Sequence, residues 1–77
     1  MVTDAELKKG YSLFSDTWRF YKRFMDVQQL DEYWEAVVME SDQLAKRYGN
    51  SKLVVALIFA VVDELERKSK EMKQSVT

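Results

Sequence analysis

From Leu7 onward the chain places apolar side chains at intervals of three and four: Leu7, Tyr11, Phe14, Trp18, Tyr21 and Met25. At 3.6 residues per turn, such spacing returns to one face of a helix. A first helix is therefore expected over about residues 4–26. Thr3 marks its start, with a hydroxyl able to cap the free amides and Glu6 three residues on in the reciprocal position. Val2 and Leu7 stand where a hydrophobic staple would place them. A second stripe, Leu13, Phe20, Phe24 and Val27, lies about 100° round the same helix. Lys8, Ser12, Ser15, Asp16, Arg19, Lys22, Arg23 and Asp26 fill the remaining, wet face. Gly10 lies near the apolar side and costs about 1 kcal/mol relative to Ala, so the first turns are expected to fray.

A turn around Val27 to Leu30 leads into a second seam: Leu30, Trp34, Val37, Ser41, Leu44 and Tyr48. This predicts a helix over 30–48, acidic at its start (Asp31, Glu32, Glu35) and basic at its end (Lys46, Arg47), as the helix dipole favours. Gly49 is placed to adopt a left-handed C-terminal cap, and Asn50 or Ser51 to cap the next helix. That third helix is expected over about 51–73, with Val54, Ile58, Val61, Leu65 and Met72 in one stripe. Its first half is apolar on every side, which predicts that it is surrounded. Beyond Asp63 it reads as an exposed charged helix whose last residues fray. Short connections make consecutive helices antiparallel neighbours. The expected fold is all-α: one domain over 1–77, an antiparallel up-down-up three-helix bundle.

Composition narrows the chemistry. The 77 residues include no histidine, cysteine or proline, with 12 basic and 13 acidic side chains and a net charge of −1. That removes thiol nucleophiles, disulfides, imidazole catalysis and the usual zinc sites. The near-zero charge gives no global electrostatic case for DNA or anionic membranes. The longest apolar run, Leu53 to Val62, falls well short of the ~20 residues of a membrane span. The polar opening is unlike a signal peptide, so a cytoplasmic, non-enzymatic protein without cofactors is the expectation.

Three patterns need weighing. Glu32, Glu35, Glu40 and Asp42 are carboxylates on one helix, but they lack the histidine partners of di-metal bundles and are expected to face solvent. Lys8, Arg19, Lys22 and Arg23 form a basic face on helix 1, the one feature that would suit a nucleic-acid-associated accessory protein. Residues 8–23 carry five bases and one acid, and residues 26–42 six acids and no base. Pairing between neighbouring helices, or across a subunit contact, is the simpler expectation. A helix-turn-helix reading fails because Leu53 to Ile58 would present apolar side chains to a groove that needs polar ones. Ser41, inside the second seam, is expected to bond back to a carbonyl one turn earlier.

The sequence also holds more apolar surface than a small bundle needs. Helix 1 has an apolar arc of roughly 200°, against a stripe of a little over 100° for one buried face. Domains of this size often gain stability by oligomerising. A homodimer or protein-binding face is therefore expected, with Leu13, Phe20, Phe24 and Val27 as the contact stripe and Ala56 and Ala60 as a small-residue strip for close approach. Met39 falls on the otherwise polar side of helix 2 as an isolated surface residue.

The run Asp31, Glu32, Tyr33, Trp34, Glu35, then Ser41 to Leu44, Arg47 to Asn50 and Asp63 to Arg67, resembles small helical proteins encoded by prophages and other mobile elements of Gram-positive bacteria. The similarity spans roughly Tyr11 to Lys70. It implies a helical fold and a phage or mobile-element origin, and it carries over no functional residue, because that family has no assigned activity. The expected function is protein binding by an accessory factor or inhibitor.

Overall fold

The computed structural model describes residues 1–75 as three helices, α1 (Asp4–Phe24), α2 (Asp31–Arg47) and α3 (Lys52–Ser75). All three pairs of helices touch. α1 and α2 run antiparallel, since Asp16 meets Tyr48 and Arg23 meets Glu40. α1 and α3 run parallel: Gly10 and Leu53 line one groove, and the Lys68 ammonium reaches the Met25 carbonyl at 3.4 Å. The up-down-up, all-α bundle is the observed architecture. α3 continues two residues past its expected end at 73, and the rest of the expected fraying falls on positions 76 and 77, which lie outside the described residues.

Local chemistry sets the helix ends. The Glu6 amide donates to the Thr3 hydroxyl at 3.1 Å, making Thr3 the N-cap of α1. Val2 and Leu7, the two staple positions, are both exposed. α2 ends in a Schellman motif. The Asn50 amide reaches back to the Ala45 carbonyl at 2.8 Å, the Gly49 amide reaches that of Lys46 at 3.1 Å, and Gly49 has φ +64°. The Ser51 hydroxyl then accepts from the Val54 amide at 3.3 Å and opens α3.

The connection between α1 and α2 is held by side chains. The Tyr33 hydroxyl donates to the Phe24 carbonyl at 2.7 Å, satisfying a helix-end acceptor left without an intrahelical donor. The Gln29 amide donates to the Ser69 hydroxyl at 2.9 Å and to the Ser69 carbonyl at 3.3 Å, tying the loop to α3.

The core corrects the reading of α1. Leu13, Phe20, Phe24 and Val27 are buried inside the chain's own bundle, each at most 5% exposed, with Val37, Leu44, Val54 and Leu65. The seam Leu7, Tyr11, Phe14, Trp18 and Met25 faces outward instead. The physical reason lies at Thr17. It is buried on the inner stripe, its hydroxyl donating to the Leu13 carbonyl at 2.8 Å. With Thr17 included, Leu13, Thr17, Phe20, Phe24 and Val27 step by four, three, four and three. A polar residue that satisfies its own hydroxyl therefore hides a full helical seam. Phe20, Phe24 and Tyr33 then stack edge-to-face in sequence, with ring centres 5.6 Å apart at each step.

α3 is corrected as well. Its first half is not surrounded, because Leu53, Ala56, Phe59 and Ala60 are exposed. Its second half is not wholly wet, because Leu65 and Ser69 are buried. A helix in a three-helix bundle has only two neighbours, so its outer face stays in solvent whatever residues occupy it.

Candidate interaction surface

The outer stripe of α1 departs from an ordinary surface. Leu7, Tyr11, Phe14 and Trp18 fall within about 60° of one another by the helical period. Tyr11 is 78% exposed, Phe14 54% and Trp18 53%. The stripe continues sideways onto α3. Tyr21 borders a shallow groove of about 300 Å³ with Ala60, Val61 and Glu64, and the Lys68 ammonium lies 5.7 Å from the Tyr21 ring centre. Lower down, Gly10 and Leu13 border Leu53. Leu53, Ala56 and Ala60 thus extend the same flank, and all three are exposed. Leu13, Phe20, Phe24 and Val27, expected as the contact stripe, are all buried in the bundle, and only Leu13 borders this surface, at the lower groove. A stripe closed by its own bundle cannot also meet a partner.

A groove of about 240 Å³ lies on the opposite side of α1, against α2, lined by Phe20 and Leu44 and by the charged Asp16, Arg19, Arg23, Glu40 and Arg47. The half-buried Asp16 carboxylate accepts from the Tyr48 hydroxyl at 2.5 Å, from Arg47 at 3.4 Å and from Arg19 at 3.3 Å. The bond from Tyr48, helped by the two guanidinium groups, holds its pKa below the ordinary carboxylate range. Tyr48 is shifted upward, first by burial and then by its bond to Asp16. Burial and the charge of Asp26 likewise raise Tyr33. A carboxylate stabilised in its charged form is a structural acceptor, a poor candidate for a general base.

This arrangement places the basic face. Arg23 is paired with Glu40 across to α2, the sense expected from the opposed charges. Arg47 with Asp16 is a cross-helix pair of the opposite sense, and Arg19 joins Asp16 on its own helix. Lys8 and Lys22 form no ion pair among the described residues and flank the aromatic stripe. On α2, Glu32, Glu35 and Asp42 are exposed, Asp42 paired with Lys46 at 2.9 Å. Among the described residues, no group of three acidic side chains is gathered to hold a cation. Ser41 bonds back to the Val38 carbonyl at 2.8 Å, as its position in the seam predicts. Met39 is exposed beside Val38, so it is not isolated.

The link between Asp16 and Tyr48 was not legible from spacing, since it joins positions 32 residues apart. No family model matches the chain, and no curated protein or solved structure is significantly similar to it. No helix among the described residues is long and apolar enough to cross a membrane.

Proposed function

We propose that this chain is a non-enzymatic protein-binding accessory protein, of phage or mobile-element origin, that engages its partner through the outer stripe of α1. The observation supporting the reading is the exposure of Tyr11, Phe14 and Trp18 on a helix that already has a complete inner seam. Large aromatics concentrate in the centres of protein interfaces, where burying them contributes most of the binding energy. The origin rests on the resemblance of the segment beginning at Asp31.

Capture from bacterial lysate by immobilised protein tests this. Wild type is expected to retain one or more defined proteins that the Trp18→Ser variant releases and a Val38→Ser variant, altered on α2, still holds. Equal retention by all three, or by none when the wild type is also monomeric in solution, rejects the stripe as the binding face. Retention of nucleic acid alone, weakening steeply with salt, replaces this reading with one based on Lys8 and Lys22.

A further inference from the structure

We propose that the occupant of the α1–α3 face is a second copy of this chain, related by a two-fold axis running along the groove between the two helices. The inference rests on the protein-binding reading above and names its partner.

Surface area is the first argument. The chain exposes 6000 Å² for a mass of 9.1 kDa. Folded monomers of that mass expose about 4900 Å². The excess is of the size that a standard interface removes, about 800 Å² per partner. The exposed fractions of Leu7, Tyr11, Phe14, Trp18 and Leu53 amount to roughly 600 Å² of surface on this face, taking about 200 Å² for a whole large side chain.

Complementarity is the second. Because α1 and α3 are parallel, each α1 residue lies level with an α3 residue 39 to 43 positions later, as Gly10 with Leu53, Tyr21 with Ala60 to Glu64, and Met25 with Lys68 show. A two-fold axis along the groove exchanges left and right and preserves height. The same register therefore holds between α1 of one copy and α3 of the other. Phe14 then faces Ala56 and Trp18 faces Ala60, large side chains over small ones. Lys22 comes level with Asp63 of the second copy; both are without an ion pair among the described residues of their own chain, and Asp63 is exposed. Symmetry makes each contact twice and closes the assembly at a dimer. The other in-plane two-fold, perpendicular to the helices, sets the Lys8–Lys22 edge against itself, like charge facing like.

Sedimentation equilibrium of the full chain over a dilution series is the test. Wild type is expected to dimerise. Ala60→Arg and Trp18→Ser are each expected to raise the dissociation constant at least about tenfold, as loss of a central anchor does. Lys22→Glu and Asp63→Lys are each expected to weaken the dimer several-fold, and the double variant to recover wild-type affinity. All four sites lie on the surface, and far-UV circular dichroism verifies that each variant folds. A wild-type monomer at every concentration overturns the proposal. A dimer indifferent to Ala60→Arg, or single charge changes without recovery in the double variant, also overturns it. A monomer whose Trp18-dependent capture of a lysate protein persists rejects the second copy and leaves the protein-binding reading standing.

Discussion

Gly10 and Gly49 both have open space where a Cβ would stand, yet their backbones differ. Gly10 lies inside α1, where Ala gains helix propensity and restricts the unfolded chain. Gly49 closes α2 at φ +64°, where any Cβ is strained. Gly10→Ala is therefore expected to stabilise the fold by about 0.5–1 kcal/mol and Gly49→Ala to destabilise it by about 1 kcal/mol. Urea unfolding of the two variants checks both signs. Much of this scale is legible directly: Thr3, Ser41, Gly49 and Ser51 do what their positions predict, because caps and turns depend only on near neighbours. Thr17 and Ser69 were not legible as core. Their burial depends on the helices packed over them, and the Ser69 hydroxyl meets Gln29, 40 residues away.

Between elements, the antiparallel pairing of α1 and α2 is fastened by Asp16 to Tyr48 and Arg47, and by Arg23 to Glu40. The folded state holds the Asp16 pKa below its unfolded value. As pH falls, the unfolded chain takes up the proton first, so the stabilisation is complete above the ordinary carboxylate range and is lost as pH drops below about 4. Thermal unfolding between neutral and acid pH is expected to show wild type declining more steeply than Asp16→Asn. The gap between them near neutrality should be on the order of 1 kcal/mol, closing at low pH. A constant gap would show that the carboxylate's charge is irrelevant there. Helix boundaries were readable to within two residues or so, from periodicity and end signals. This fastening was not, because periodicity places Asp16 on the wet face without saying which helix lies beside it.

Across the whole molecule the proportions decide the surface. The bundle measures 53 × 20 × 18 Å, one helix deep around a narrow core. Such a rod buries one stripe per helix, and α1 has two. Phe20→Ala is expected to cost about 3–5 kcal/mol, most or all of the stability of so small a domain, whereas Trp18→Ala should change the stability of the monomer by under about 1 kcal/mol. Denaturant midpoints measured at concentrations low enough to exclude self-association distinguish the two. Equal losses would mean that the outer stripe is also core. Substitutions at Phe20 or Phe24 consequently report on folding, and those at Trp18 or Ala60 report on association.

By itself the sequence determined three helices, their ends, their order and the absence of thiol and imidazole chemistry, because local spacing, capping or composition dictates each of these. It also announced more apolar surface than the fold can bury. Only the tertiary structure decided which of the two stripes of α1 goes inside. Both satisfy the helical period, and the inner one is buried because Phe20 and Phe24 join Val37, Leu44, Val54 and Leu65 of the other helices in one cluster, with Tyr33 bonded to the end of α1. Burial is a property of the packed assembly, and a one-dimensional pattern names the faces without saying which of them meet.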